Sequence, residues 1–161
     1  MFLYGVNPNF KEQEVVRPRK PVARRIPVNQ SQKILIADDQ DFNLVAIKQA
    51  IEALKIPLEV VCVYDGQSAV DAVEESDMNT FALIMLDYAM PHNGLETLKD
   101  IKELYKIAKT PMPRTVILSA YIDDDLKRKA KAHGVHDFVH KPLTNTRLRK
   151  ICEELNIIPS V

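Results

Sequence analysis

The most informative segment of the chain is FALIMLD, residues 81–87. Its six consecutive apolar residues are typical of a strand that is buried on both faces, as the strands of a parallel sheet are. A carboxylate follows directly at Asp87, where a buried strand offers no structural reason for a charge. We therefore predict that residues 81–86 form a central strand and that Asp87 lies at its carboxyl end.

Strand and helix patterns alternate on both sides of this segment. Short apolar runs predict four more strands, at residues 34–37, 60–63, 115–118 and 138–140. The segments between and after them repeat apolar residues every three or four positions, which is typical of amphipathic helices. Five strands alternating with five helices over roughly 125 residues predict an α/β fold, a doubly wound parallel sheet with helices on both faces.

Length and composition indicate one globular domain with a tail. The chain has 161 residues, of which 46% are hydrophobic, and its 22 basic side chains equal its 22 acidic ones. A disordered chain would contain fewer apolar residues, and no apolar run approaches the roughly 18 residues of a membrane span. The first residues do not resemble a secretory signal, and the two cysteines show no disulfide or zinc spacing. We expect a cytoplasmic protein without a membrane span.

The first 32 residues differ in charge from the rest. They contain six basic and two acidic side chains, whereas residues 33–161 contain sixteen basic and twenty acidic ones. Because three prolines interrupt the basic run, we expect residues 1–32 to be a disordered arm, residues 33–157 a folded domain and residues 158–161 a tail. A solvated linker is the simplest interpretation of the arm. The lack of aromatic residues among its arginines argues against nucleic acid, and its partner is unknown.

Polar side chains stand where four of the predicted strands end. They are Asp38 and Asp39, Asp87, Ser119 and Lys141. The carboxyl ends of parallel strands share one edge of the sheet, so these side chains should meet in one pocket. Three carboxylates at about 4 Å repel one another by about 4 kcal/mol per pair at an effective dielectric near 20. Oxygen ligands with this charge favour a hard cation such as Mg²⁺, with lysine as a second positive charge.

These residues belong to a set of motifs in a fixed order. The motifs are Asp38-Asp39, Asp87-x-x-Met90-Pro91, Ser119-Ala120 and Phe138-x-x-Lys141-Pro142. The set resembles the receiver domain of two-component response regulators and of hybrid histidine kinases, and the resemblance covers residues 33 to about 156. It implies a flavodoxin-like sheet with the strand order 2-1-3-4-5. It also implies a domain that receives a phosphoryl group from a histidine kinase or a histidine phosphotransfer protein.

The resemblance assigns a role to each site residue. Asp87 is the expected phosphoacceptor and a metal ligand, Asp39 a direct Mg²⁺ ligand, and Asp38 a ligand through water. The backbone carbonyl of Ala89 is expected to complete the metal site. Lys141 is expected to pair with the bound phosphoryl group.

A second group of residues is expected to switch the conformation. Ser119 would hydrogen-bond the phosphoryl group, and Phe138 would move inward with it, altering the outer face of the last two helices, where a downstream partner would bind. Pro91 lies in the loop after the acceptor, and Pro142 shapes the turn after Lys141, where receiver domains often have a cis peptide bond. Such a domain assists its own phosphorylation and dephosphorylation and is not a dedicated enzyme.

The chain departs from the family pattern near the acceptor. Gly94 follows Asp87 by seven residues, one fewer than is usual in the family. Phe138 lacks the hydroxyl of the more frequent tyrosine. Ala89 and Tyr121 occupy positions that flank the attacking water in the family, so we expect a modified rate of dephosphorylation.

Other interpretations of single residues and of the whole chain remain open. His92 is most simply an exposed loop histidine, and Asp123 to Asp125 a charged helix start. The alternative functions are a pseudo-receiver, which would bind proteins without phosphorylation, and a haloacid dehalogenase-type phosphatase. That phosphatase family requires a second acidic residue two positions after its nucleophile, where this chain has Ala89. A flavin-binding module is weaker still, because the first loop lacks a Ser, Thr or Gly run.

Overall fold

The structure is a computed structural model that describes residues 31–161, so residues 1–30 of the predicted arm lie outside the described residues. The strands are β1 (Lys33–Ala37), β2 (Glu59–Val63), β3 (Phe81–Asp87), β4 (Arg114–Ser119) and β5 (Asp137–His140). The helices are α1 (Asp41–Ala53), α2 (Gly66–Glu74), α3 (Gly94–Ile107), α4 (Asp124–Ala132) and α5 (Asn145–Glu154). Five strands alternate with five helices, as the sequence predicts.

The strands form one parallel sheet in the order β2-β1-β3-β4-β5. This confirms the predicted fold class and strand order. The pairing of β1 with β3 shifts register between Lys33, which lies opposite Phe81, and Ile34, which lies opposite Leu83. The order reverses between β1 and β3, so the site predicted after these two strands lies at the switch point of the sheet.

The burial of β3 on both faces of the sheet explains why its sequence is continuously apolar. All seven of its residues are buried. Leu83 and Met85 pack with residues of α1 and α5, whereas Ile84 and Leu86 pack with residues of α2 and α3. Successive side chains of a strand point to opposite faces, so a sheet covered on both faces requires apolar residues at every position.

Side-chain caps fix the starts of four of the five helices, whereas α1 begins after Gln40, whose side chain makes no capping hydrogen bond. Asp123 accepts a hydrogen bond from the N–H of Leu126 at 2.7 Å and caps α4, which confirms the acidic cluster as a helix start. Thr144 caps α5 in the same way. At α3, Asn93 and Glu96 form a reciprocal capping box. No helix within residues 31–161 is long and apolar enough to cross a bilayer.

The chain continues to pack after α5. Ile157 and Ile158 are both buried in the hydrophobic cluster that also contains residues of α1 and α5. The predicted tail, residues 158–161, therefore begins with a side chain that belongs to the core.

His136, directly before β5, connects the start of that strand to the start of β4 through hydrogen bonds. His136 Nδ1 accepts a hydrogen bond from the N–H of Thr115 at 3.0 Å, and the N–H of His136 donates to the carbonyl of Thr115 at 3.1 Å. Burial lowers the pKa of His136, and the nearby Arg114 lowers it further against the opposing effect of Asp137. The bond to Thr115 requires the unprotonated Nδ1, so the fold favours the neutral ring.

Lowering the pH should therefore weaken the fold through His136. A histidine whose pKa is lower in the folded than in the unfolded state binds fewer protons when folded, so its contribution to stability is present above the unfolded pKa near 6.5 and is lost as the pH falls below it. We expect the free energy of unfolding, measured in urea at pH 7 and pH 5, to fall less between these pH values in His136→Asn than in the wild type. An equal fall in both proteins would contradict this role.

The hydroxyl of Tyr105 has no hydrogen-bond partner among the described residues, although the side chain is only 2% exposed. Burial raises the pKa of Tyr105 to about 12. Because an unpaired buried hydroxyl costs about 1 kcal/mol or more, Tyr105→Phe should raise the free energy of unfolding by about 1 kcal/mol in urea titrations. The exposed Tyr64 is the control, since Tyr64→Phe should change little. A loss of stability in Tyr105→Phe would reveal a partner for the hydroxyl.

Candidate functional site

Three carboxylates meet at the carboxyl end of the sheet. Asp38 and Asp39 follow β1, and Asp87 ends β3. One carboxylate oxygen from each residue lies within 4.8 Å of the others. Asp38 and Asp87 are buried and Asp39 is exposed, so the cluster opens to solvent on one side.

Lys141 lies between the two buried carboxylates. Its Nζ is 2.7 Å from Oδ2 of Asp38 and 2.9 Å from Oδ1 of Asp87. The backbone N–H of Lys141 donates to the carbonyl of Ser119 at 2.9 Å, which fixes the end of β5 against the end of β4. The following bond, Lys141–Pro142, is cis, and Pro142 itself is exposed.

The cluster carries more negative charge than Lys141 neutralises. Burial raises the pKa of Asp87, and the charge of Asp38 raises it further, so the hydrogen bond from Lys141 offsets only part of the increase. Burial by itself would lower the pKa of Lys141, but its bonds to Asp38 and Asp87 raise that pKa overall. Lysine therefore stays charged, whereas ionisation of Asp87 is less favourable than that of an exposed aspartate.

Asp38 is oriented by the beginning of α1. Its Oδ1 accepts hydrogen bonds from the N–H of Gln40 at 2.9 Å and from the amide of Asn43 at 3.1 Å. Sequence reasoning assigned no site role to Asn43. The position of Asn43 in the first turn of the helix after the acidic pair could have indicated this contact, because a side chain there can reach back towards the end of the preceding strand.

Asp87 receives one backbone donor from its own loop. The N–H of Ala89 donates to Oδ1 of Asp87 at 3.3 Å, the oxygen that also contacts Lys141. The set of three carboxylates, with one side open to solvent, fits a hard cation that keeps some of its water. Asp123 to Asp125 are not part of this group, the one such cluster that residues 31–161 contain.

The hydroxyl of Ser119 is bound within its own loop. Ser119 Oγ donates to the carbonyl of Tyr121 at 2.6 Å and accepts from the N–H of Tyr121 at 3.2 Å. Ser119 is buried, whereas the side chain of Tyr121 is 85% exposed. Phe138 is partly buried and packs against the cluster on the α2 and α3 side of the sheet. In this conformation the serine hydroxyl is engaged by Tyr121.

The loop between β3 and α3 is held against the start of α2 by a backbone hydrogen bond and by close packing. The N–H of Gly66 donates to the carbonyl of Pro91 at 3.0 Å, while the side chain of Pro91 is exposed. A Cβ atom at Gly66 would lie 2.0 Å from the carbonyl oxygen of His92 and 1.9 Å from Oγ1 of Thr97. Thr97 Oγ1 itself donates to the His92 carbonyl at 2.9 Å. Only glycine fits at this contact.

The same loop closes tightly on the strand that carries Asp87. The N–H of Gly94 donates to the carbonyl of Tyr88 at 3.1 Å, and a Cβ atom at Gly94 would lie 2.7 Å from the carbonyl oxygen of Asp87. His92 is partly exposed, and its Nε2 hydrogen-bonds to Asp100 at 2.8 Å, outside the carboxylate cluster.

The chain matches a protein-family model, and solved structures share its fold. A family model described as the response regulator receiver domain matches residues 34–153. The chain is 29% identical over 123 residues to the cyclic di-GMP phosphodiesterase response regulator RpfG of Xanthomonas campestris pv. campestris, which covers 76% of this chain and 31% of that protein. The chain thus spans less than a third of the length of this relative.

Two solved structures share the fold at low identity. One is the complex of the Saccharomyces cerevisiae histidine phosphotransfer protein Ypd1 with the receiver domain of Ssk1, matched with a TM-score of 0.69 and 24% identity over 81% of this chain and 92% of that chain. The other is the receiver domain of sensor histidine kinase PA1611 from Pseudomonas aeruginosa with magnesium in its active-site cleft, with a TM-score of 0.64 and 22% identity over 78% of this chain and 97% of that chain.

Removing the charge of Asp87 should stabilise the metal-free protein. Its raised pKa means that folding disfavours the ionised carboxylate, so at pH 7 the neutral Asp87→Asn should have a higher free energy of unfolding than the wild type in EDTA. Urea titration measures this difference. The exposed Asp77→Asn serves as the control, and a clear destabilisation of Asp87→Asn would show that Lys141 already balances the cluster.

Proposed function

Because this chain belongs to the response regulator receiver domain family, we propose that it is a phosphoaccepting switch of a two-component or phosphorelay system, with Asp87 as the acceptor. One observation carries the assignment. Lys141 bridges Asp38 and Asp87 within a cluster of three carboxylates, at the switch point of the sheet. A buried, electron-rich carboxylate beside an ammonium suits phosphoryl transfer better than any structural role.

Asp38, Asp39, Asp87 and the backbone carbonyl of Ala89 would hold a Mg²⁺ ion. The excess negative charge and the oxygen-only donors of the cluster support this assignment, as does the magnesium-bound receiver domain from Pseudomonas aeruginosa. When bound, Mg²⁺ neutralises part of the charge that develops on the transferring phosphoryl oxygens.

The residues of the chain carry the transfer itself. A carboxylate oxygen of Asp87 attacks the phosphorus of a phosphohistidine in line, so a P–O bond forms as the P–N bond breaks and the electron pair leaves with the imidazole nitrogen. Lys141, already 2.9 Å from Asp87, pairs with the phosphoryl oxygens. The N–H of Ala89 orients the attacking carboxylate.

Phosphorylation would then redirect the hydroxyl of Ser119. The hydroxyl exchanges its bond to the Tyr121 carbonyl for a bond to the new phosphoryl group. This exchange moves the loop that leads to Asp123 at the start of α4, and Phe138 follows inward. The result is a two-state change on the outer face of α4 and α5, where a downstream partner binds.

The donor is a histidine kinase or a histidine phosphotransfer protein in the cytoplasm. The yeast complex of a phosphotransfer protein with a receiver domain of this fold supports that class of partner. The domain assists its own phosphorylation and dephosphorylation and is not a dedicated enzyme. Its neighbours Ala89 and Tyr121 set the rate at which water reaches the acyl phosphate.

Intact-mass analysis tests the assignment directly. The wild type and Asp87→Asn are incubated with acetyl phosphate or phosphoramidate, with and without Mg²⁺. We expect one phosphoryl adduct on the wild type that requires Mg²⁺ and is absent from Asp87→Asn, because the amide is not a competent nucleophile.

Two results would reject the proposal. Sustained release of phosphate from several phosphoesters, without an adduct, would indicate a phosphatase. If neither adduct nor phosphate release occurs and Mg²⁺ does not bind, the chain is a pseudo-receiver. Asp39→Asn is a matched variant, since it removes one exposed charge of the cluster and should lower the yield of adduct while keeping the acceptor.

A further inference from the structure

A long segment in the middle of the chain contains no lysine or arginine. Residues 56–98 carry eight acidic side chains and no basic one, although lysine and arginine make up 22 of the 161 residues. The segment forms β2, α2, β3 and the start of α3. Any cation that pairs with its exposed carboxylates therefore comes from another part of the chain or from a partner.

Four of these carboxylates follow one another closely at the end of α2, and we call them the acidic face: Asp71, Glu74, Glu75 and Asp77. The first three share one side of the helix, because residues three and four positions apart are neighbours on its surface. All four are exposed, and none forms an ion pair with any residue of the described range 31–161. Their charge is therefore not neutralised within this part of the chain.

The edge of the sheet beside α2 is also uncovered. Strand β2 contacts α2 and pairs with β1, and it has no second neighbouring strand within residues 31–161. Val61 and Val63 pack against the same hydrophobic cluster as α2, yet both stay partly exposed. This end of the sheet thus offers a partner apolar side chains as well as carboxylates.

The arm joins the domain beside the acidic face. Gln32 Nε2 donates to the carbonyl of Asn79 at 3.0 Å. The N–H of Lys33 donates to the carbonyl of Thr80 at 2.7 Å. Both carbonyls belong to a turn in which the N–H of Thr80 donates to the carbonyl of Asp77 at 2.9 Å. The last residues before β1 therefore contact the turn that carries the end of the acidic face.

The arm carries charge of the opposite sign. Residues 17–25 contain five basic side chains and no acidic one. An extended chain spans at most about 3.5 Å per residue, so the segment between Arg17 and Gln32 can cover up to about 50 Å. Helix α2 has nine residues and is about 14 Å long. The cations of the arm can therefore reach every carboxylate of the acidic face.

We propose that residues 17–25 bind the acidic face and the adjoining edge of β2 within the same molecule. Each exposed ion pair contributes little by itself. A tethered segment, however, reaches its site at an effective concentration in the millimolar range, so several weak pairs together give a populated contact. Pro18 and Pro21 lack the N–H groups that strand pairing along β2 would require, so side-chain charges carry the recognition.

This contact would give the arm a role that a solvated linker does not have. Its arginines would be occupied by the chain itself. A phosphate-bearing partner, such as nucleic acid or an acidic lipid, would bind the arm only by displacing it from the acidic face.

Trypsin cleavage after Arg24 and Arg25 in the full 161-residue protein tests the contact. Intact mass follows the cleavage at about 20 mM and about 300 mM NaCl, and a synthetic peptide of residues 11–28 gives the rate for the free segment under the same conditions. We expect the protein to be cut about tenfold more slowly than the peptide at low salt. At high salt the two rates should converge, because screening weakens exposed ion pairs.

Glu74→Gln/Glu75→Gln removes half of the charge of the acidic face and should be cut about fivefold faster than the wild type at low salt. The matched control is Glu52→Gln/Glu153→Gln, which removes two charges near the ends of α1 and α5, on the other face of the sheet. The control should be cut at the wild-type rate within about 1.5-fold. These substitutions leave the arm unchanged and add no trypsin site.

Amide chemical shifts locate the contact independently. Differences between the wild type and Arg19→Glu/Arg24→Glu that centre on α2 and the turn at residues 77–80 would support the proposal, whereas differences centred elsewhere in the domain would overturn it.

Three cleavage results would also overturn the proposal. The first is a wild-type rate equal to that of the free peptide at low salt, which requires no variant. The second is equal acceleration of both double variants. The third is protection that grows as the protein concentration rises from about 5 to about 200 μM, which would assign the acidic face to the arm of a second copy. None of these measurements involves phosphorylation, so their outcome is independent of the proposed function.

Discussion

The ammonium of Lys141 is the interaction on which the site depends. Two buried carboxylates, on β1 and β3, would repel each other in a medium that screens charge poorly. The ammonium contacts both of them and belongs to the residue that follows β5 at the edge of the sheet. It reaches them across the end of β4, because all five strands are parallel and their carboxyl ends share one edge. The parallel pairing of the strands therefore brings the charges of opposite sign together.

Apart from the contact of both buried carboxylates with Lys141, each of the other site residues has a support of its own. Asp38 is oriented from α1, Asp87 is fixed by burial within β3, and Ser119 is bound by its own loop. An exchange of the Ser119 hydrogen bond leaves the two carboxylate supports unchanged. Because a hydrogen bond to a charged phosphoryl group is stronger than one to a neutral carbonyl, phosphorylation would favour the moved loop and dephosphorylation the present one.

The sequence predicts the sheet and the meeting of the strand ends because both follow from local rules. Apolar runs such as residues 81–86 identify buried strands, and the carboxyl ends of parallel strands necessarily converge. The bond from Asn43 to Asp38 and the state of the Ser119 hydroxyl depend on rotamers and loop conformation, which no periodicity encodes. The burial of Ile158 depends on where the chain passes after α5 and is equally invisible in the local pattern.

Gly66 gives the site a rigid neighbour that is distant in sequence. The absence of a side chain there lets the start of α2 lie directly on the carbonyl of His92 and on Thr97, in the loop that follows the acceptor strand and the first turn of α3. The start of α2 and the loop between β3 and α3 are consequently packed against each other, so α2 cannot move unless the loop moves with it. Substitutions at position 66 would thus act like substitutions within the loop that follows Asp87. Even the single methyl group of alanine would displace that loop and, with it, the carboxylate cluster.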